Sequence, residues 1–343
     1  MKDYSLSKRS ALRINLGVVV ETWKMAQSLT ITGHTFDEFR FVVVTLSDGV
    51  HQGRGEAAGV YYLKDVPATM VAQIEAVREC VESGITREEL RSILPPGGAR
   101  NAIDCALWDL ESQQLGKPVW ELAGVGAPQP LLTTYTLGAD APEVMARGAR
   151  DKYRDAKAIK LKLLGDDQDA ARVQAVRAAR DDVWIGVDAN QGFTAGTLTE
   201  LLPTLIEARV QLIEQPCKIG DEAQLDNVRS PIPFAADESV QSLSDVAALA
   251  GRFQVVNIKL DKCGGLTEAL LMAKQARHLG IRVMVGNMGG TSLAMAPAMI
   301  VGQCCDIVDL DGPLFLTADR NPAIVYEHGL VSAPTGLYGW PGV

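Results

Sequence analysis

The sequence is poor in the features that would direct it to nucleic acid, to a membrane or out of the cell. Its 33 basic residues are outnumbered by 42 acidic ones, a formal net charge of −9. No basic cluster or arginine-rich run offsets that balance, so nucleic acid is excluded as the expected partner. No apolar run approaches the ~18 residues of a membrane span, and no membrane association is expected. The opening MKDYSLSKRSALRINL has no apolar core of the length an export signal needs. The six cysteines (Cys80, Cys105, Cys217, Cys263, Cys304 and Cys305) form no CxxC pair and no disulfide-like framework. Together these point to the reducing cytoplasm. Histidine is scarce: His34, His51, His278 and His328 are all there are. None falls where a barrel strand would end, which disfavours a histidine base or a Ser-His-Asp site, and GxSxG is absent too.

What is present fits a soluble enzyme: 343 residues, 47% of them apolar, enough for two domains or one barrel with additions. Up to residue 127 the pattern is α+β. RINLGVVV, FRFVVVTLSDG and GRGEAAG read as strands, with a hairpin closed at SDG. Residues 66–93 and 99–116 read as helices, the second ending at a glycine cap. From Leu131 short apolar runs alternate with helical stretches such as DAARVQAVRAAR and TEALLMAKQARHLG. Strands are expected at 131–137, 157–164, 183–188, 210–214, 231–237, 253–260, 281–286 and 306–311. Eight strands with no helical pattern after the last predict a TIM-like (β/α)7β barrel over 128–315. The alternative, a doubly wound open sheet, lacks a GxGxxG or P-loop after an early strand. The tail 316–343 is expected to return to the 1–127 capping domain.

In such a barrel the chemistry sits at the C-terminal strand ends. The third, fourth and fifth strands end in Asp188, Glu214 and Asp237, spaced 26 and 23 residues apart, about one β/α unit each. Adjacent strands lie ~4.8 Å apart, so the three carboxylates can converge. Three hard oxygen ligands suit Mg2+. A single acid at a strand end is more often a helix N-cap; three in succession are not. The second strand, AIKLKLL, carries Lys160 and Lys162 on one face by the period-2 rule. Lys259 comes from the sixth strand, across the barrel. A neighbouring ammonium and partial burial lower a lysine's pKa, which casts Lys162 as a base and Lys160 as the neighbour that tunes it. The plainer alternative is that these lysines are solvated or paired with the acids.

This ordered set resembles the enolase superfamily in its muconate-lactonizing subgroup. The resemblance rests on Lys160-Leu161-Lys162, on the DAN, EQP and DES contexts of the three acids, and on NIK before Gly264-Gly265, and it covers almost the whole chain. It implies an α+β capping domain over the barrel. It also implies a Lys or His base acting with Mg2+ to stabilise an enediolate. Asp309 and Asp311 resemble the DxD of dipeptide epimerases, where the paired acids receive an α-ammonium group; the alternative is a turn at Asp311-Gly312-Pro313 capped by Asp309. Two departures concern the pocket. Gly289 or Gly290 stands where many dipeptide epimerases have an acid, and Asn287 where a small Ser or Cys is common.

The resemblance therefore implies a Mg2+-dependent dipeptide epimerase, an isomerase acting on a carboxylate substrate that bears an amino group. Its catalytic residues would be Lys162, Lys259 and Lys160. Substrate contacts are expected from Asp309, Asp311 and Lys160, and from Asn287, Met288 and Thr136. Capping loops near 21–31 and 56–64 would set specificity through Trp23, Lys24, Met25, Tyr61 and Tyr62. Racemisation or dehydration of an amino or imino acid, such as a hydroxyproline or an N-substituted amino acid, keeps the same site. A cycloisomerase suits the paired acids less well. A barrel retained as a binding or structural protein is the reading outside enzymology. A homo-oligomer is expected by analogy with the superfamily.

Overall fold

The structure is a computed structural model that describes residues 13–31 and 34–340; the side chains of 27–31 and 34–36 lie outside that description. It begins with an antiparallel sheet of Asn15–Ile31, His34–Ser47 and Gln52–Ala57. Its first strand is 17 residues long. Segment 21–31, expected as a loop, is therefore strand. Trp23 pairs with Phe39 and Lys24 with Glu38, and the register shifts between Lys24 and Leu29. The cross-strand pairing holds this segment extended where the resemblance implies a loop.

Helix Gly98–Leu115 lies directly on the third strand. Two glycines make that approach possible. A Cβ on Gly53 would come within 2.2 Å of the Leu110 nitrogen, and one on Gly55 within 2.1 Å of the Ala102 carbonyl oxygen. The stretch expected as one helix over 66–93 divides into Pro67–Ala76, Arg78–Glu82 and Arg87–Ile93. Val42, Val44, Leu46, Met70, Ile74, Ile103 and Ala106 form part of a separate core between this sheet and its helices.

Next comes an eight-stranded parallel sheet, hydrogen-bonded in chain order: Tyr135–Leu137, Ala158–Lys162, Trp184–Asp188, Val210–Glu214, Phe234–Ala236, Val255–Lys259, Arg282–Gly286 and Ile307–Val308. The edge strands approach one another, the Thr134 N–H donating to the Val308 carbonyl at 3.0 Å. Leu131–Leu132, expected as part of the first barrel strand, pairs instead with Leu330–Ser332 of the tail. An α-helix occupies six of the seven connections, and the fourth has only a 3-10 turn, Glu222–Asn227. Leu212, Ala235, Val255 and Met284 pack inside the sheet near its N-terminal end, with Trp184 and Ile307 beside them. That plug leaves the C-terminal end as the mouth.

The two units are joined through buried polar groups on Gly98–Leu115. Arg100 donates to the Cys263 carbonyl at 2.5 Å, and Asp104 accepts from the Thr267 hydroxyl at 2.6 Å. Asp261 accepts from the Ala58 and Gly59 N–H groups at 2.9 and 3.0 Å. The tail returns to the same helix: the Tyr338 hydroxyl donates to the Cys105 carbonyl at 2.8 Å and the Gly339 N–H to Asp109 at 2.8 Å. Among the described residues no helix is long and apolar enough to cross a membrane.

Candidate active site

Strand register explains how the site forms. Lys162 pairs with Asp188, and Asp188 with Glu214, so three functional side chains stand in one row across neighbouring strands. Asp237 follows directly after Phe234–Ala236. On the second strand Ile159 and Leu161 are fully buried in the main core, and by alternation Lys160 and Lys162 face the interior. Non-glycine residues in the left-handed region follow the third and fourth strands: Asn190 at φ +41°, Gln191 at +69° and Gln215 at +33°. Such conformations cost energy, and they cluster at sites that function fixes. The acids are not used as helix caps. Helix Ala195–Glu207 is capped by Thr194, and turn Gly312–Phe315 takes no side-chain cap from Asp311.

The three carboxylates are buried, and one oxygen from each lies within 4.8 Å of the other two. The lysines reach them. Lys162 Nζ is 2.6 Å from Asp188 Oδ2 and 3.0 Å from Asn190 Oδ1, and Lys259 Nζ is 2.7 Å from Asp237 Oδ2. Lys160 pairs closely with Asp309 and stands 3.3 Å from Glu214 Oε2. At Lys160 and Lys259 the facing acids, not the neighbouring ammoniums, set the balance. Burial lowers the pKa of Lys160, but Asp309, Glu214 and Asp188 outweigh it and hold the group well above the usual lysine range. Lys259 is raised in the same way by Asp237 and Glu214. Burial opposes ionisation of Asp237, yet Lys259 and Lys262 keep its carboxyl well below the usual range.

Elsewhere the acids go the other way. Burial first, then the Asp188 charge, pushes Glu214 up to about 8. Burial and Asp237 push Glu238 up to about 7. Burial and Asp309 push Asp311 up to about 6. Glu214 Oε2 is buried and accepts no hydrogen bond. Around the mouth, Asp188, Glu214, Asp237, Glu238, Asp309 and Asp311 face Lys160, Lys162, Lys259 and Lys262. An all-carboxylate donor set with an orphaned inner oxygen fits Mg2+.

One cavity brings together Lys160, Lys162, Asp237, Lys259, Asn287, Met288, Asp309, Asp311, Thr136 and Tyr61. Thr136 contributes its N–H, which donates to Asp311 Oδ2 at 2.7 Å. The Asn287 amide donates to the Asp309 carbonyl at 2.8 Å and accepts from the Gly289 N–H at 2.8 Å, so it shapes the loop it lies on. Of the capping candidates, Tyr61 and Tyr62 line the cavity, their rings edge to face at 5.3 Å. Trp23, Lys24 and Met25 do not: Arg320 lies over the Trp23 ring, and the Met25 backbone pairs with Leu316. The part of the expected 21–31 loop whose side chains lie beyond residue 26 is outside the described residues, as is the side chain of His34. Phe39 packs against Gly289, where a Cβ would meet its ring at 3.0 Å.

The sequence reading did not single out Asn257 and Lys262. Asn257 Nδ2 donates to Glu214 Oε1 at 2.7 Å and Lys262 Nζ to Asp237 Oδ1 at 2.5 Å. Period 2 counted back from Lys259 would have found Asn257. Lys262 gave no comparable signal, because it sits on a helical turn, Leu260–Cys263, beyond the strand.

A plugged, curled eight-stranded parallel sheet with acids at the ends of three successive strands, lysines on the second and sixth and an α+β cap is the build of an enolase-superfamily enzyme. The chain belongs to the mandelate racemase / muconate lactonizing enzyme family. Residues 13–124 match that family's N-terminal domain, and residues 143–339 match the enolase C-terminal domain-like family. It is 38% identical to the L-Ala-D/L-Glu epimerase of Escherichia coli (strain K12), over 91% of this chain and 97% of that protein. It is 38% identical to an N-acetyl-D-glutamate racemase of a Pseudoalteromonas species, over 85% of this chain and 92% of that one. An enolase family member from Agrobacterium tumefaciens with homology to dipeptide epimerases, solved with sodium and L-Ala-L-Glu, superposes with a TM-score of 0.91. That protein is 41% identical, covering 95% of this chain and 100% of its own.

Proposed function

We propose that the protein is a Mg2+-dependent dipeptide epimerase that inverts the α-carbon next to the substrate carboxylate. The observation that carries this reading is the pair Lys162 and Lys259, on strands two and six of the eight, with the three metal-type carboxylates between them. One lysine takes the α-proton as the C–H bond breaks, and the other returns a proton to the opposite face. Asp188, Glu214 and Asp237 would hold the Mg2+, whose charge stabilises the enediolate oxygens when it is bound. Lys160 keeps a positive charge at the same end of the cavity. Asp309 is already neutralised by Lys160, so Asp311 is assigned the substrate ammonium. Tyr61 and Tyr62 cover the mouth and exclude water.

A second reading is racemisation of an N-substituted amino acid. The Lys160–Asp309 pair favours it, because it leaves Asp311 as the only unpaired acid of the DxD. Incubation in heavy water with Mg2+ separates the two. The epimerase exchanges and inverts the α-proton of L,L-dipeptides; the racemase does so with N-acyl amino acids that lack the ammonium. Absence of exchange with any member of both libraries would sink the two readings together.

The same proposal includes closure of the sheet as a (β/α)7β barrel over 128–315, capped by 1–127 with 316–343 returning to it. The Thr134–Val308 hydrogen bond and the contacts of Tyr338 and Gly339 support it. A cytoplasmic setting is supported by the six free cysteines. Homo-oligomerisation is tested by the mass of the protein in solution.

A further inference from the structure

We infer that Asn257 and Lys262 are positioning residues that restrict Glu214 and Asp237 to one metal-binding oxygen each, and so select a small octahedral cation over a larger one. The inference rests on the metal reading above.

Each of the three carboxylates has an outer and an inner oxygen. The outer ones are fixed by groups that do not line the cavity or that belong to the backbone. Asp188 Oδ1 accepts from the Asn190 N–H at 2.9 Å, Glu214 Oε1 from Asn257 Nδ2 at 2.7 Å and Asp237 Oδ1 from Lys262 Nζ at 2.5 Å. The inner ones face the lysines of the mouth: Asp188 Oδ2 toward Lys162 at 2.6 Å, Glu214 Oε2 toward Lys160 at 3.3 Å and Asp237 Oδ2 toward Lys259 at 2.7 Å. All three acids follow the same division.

Neither anchor can turn away easily. Asn257 is fully buried, and Lys262 is 2% exposed. All three Lys262 donors have acceptors: Asp237 Oδ1, the Asp237 carbonyl and the Asn257 carbonyl. The Asn257 amide has its place reserved by Gly286, where a Cβ would come within 2.7 Å of Asn257 Oδ1. An outer oxygen held this way is turned toward its donor and is a poorer partner for its inner neighbour on the metal, so bidentate binding is disfavoured at Glu214 and Asp237.

Three single oxygens leave room for substrate and water around an ion that takes an octahedral set, as Mg2+ does. Ca2+ accepts roughly 6–8 oxygens and uses bidentate carboxylates readily. Freeing an outer oxygen therefore removes a constraint that Mg2+ tolerates and Ca2+ does not.

Calorimetric titration of the whole protein with Mg2+ and with Ca2+ tests this, using wild type, Asn257→Leu and Lys262→Met. Melting without metal confirms that each variant is folded. Asn257→Ser, which removes the amide donor with a smaller change in bulk, replaces the leucine variant if that one fails to fold. Loss of the Asn257 anchor is expected to weaken Mg2+ binding by about 10–100-fold. Ca2+ binding should weaken less, so the Mg2+/Ca2+ affinity ratio falls in both variants. Folded variants that retain the wild-type ratio overturn the inference, even if both ions bind more weakly. Wild-type protein that binds no Mg2+ brings down the metal reading itself and this inference with it.

Discussion

The second strand of the parallel sheet carries two lysines, and the sixth carries one with a second on the helical turn after it; the two pairs have different surroundings. On the second strand the lysines are two residues apart, and both line the cavity. In the other pair they are three apart and only Lys259 is on a strand. Lys259 lines the cavity, whereas Lys262 turns back beneath it to the Asp237 carboxylate. A strand repeats its face every second residue, which sets Lys160 and Lys162 side by side, whereas the chain leaves the strand after Lys259 and the helical turn carries Lys262 to the buried side of Asp237. A lysine count at a barrel end does not give the number of bases.

The largest effects should come from the mouth lysines. Lys162→Ala and Lys259→Ala are each expected to lower turnover by about 10²–10⁴-fold. Each should still wash deuterium into one stereoisomer, and different ones for the two variants. Identical exchange patterns would remove the assignment of one lysine to each face. Lys262→Met should act on stability instead. Leaving Asp237 buried without that partner is expected to cost about 3 kcal/mol in chemical denaturation without metal. Lys162→Ala should cost much less in the same measurement, since its ammonium lies at the open mouth. Equal losses would erase the distinction between the two pairs.

Asp311→Asn comes next. Removing a charged partner of the substrate ammonium should lower kcat/KM for a dipeptide by about 10–100-fold, and leave N-acetylated amino acids nearly unaffected. The pH dependence has a definite sign. Burial and Asp309 raise the Asp311 pKa to about 6. Attraction for an ammonium is therefore full above that value and is lost as the pH falls through it. A profile of kcat/KM for a dipeptide that stays flat down to pH 5 would count against Asp311 as the ammonium site. Tyr62→Phe should do least. The Tyr62 hydroxyl is buried without a hydrogen-bond partner, so its removal is expected to change stability by no more than about 0.5 kcal/mol.

The barrel and its strand-end acids were legible because a strand's alternation is written in the sequence and neighbouring strands share a register. That places Lys160, Lys162, Asp188 and Glu214 before any coordinates are known. The capping unit was less legible. The resemblance implies a capping loop at 21–31, but the segment is strand, paired with 34–47. Lys24 lies one residue along from Trp23 and so faces the other side of the sheet. Met25 is held beside Leu316, a contact between residues almost three hundred apart in sequence. The lysine environment was only partly legible for a related reason. Period 2 predicts that Lys160 and Lys162 share a face, but not that Asp309 and Glu214 from other strands reach Lys160 first.

Helix Gly98–Leu115 carries a consequence for the order in which the protein can be made. Its buried Arg100, Asp104 and Asp109 find partners in Cys263, Thr267 and Gly339. During synthesis the helix leaves the ribosome well before any of those residues exist. The first unit can gather its apolar core early, and Asp109 can already accept from the Arg54 N–H at 2.9 Å, but Asp104, on the helix's charged face, must wait for Thr267 of the parallel sheet unit. That face is where a chaperone or a neighbouring chain would find the newborn protein unfinished.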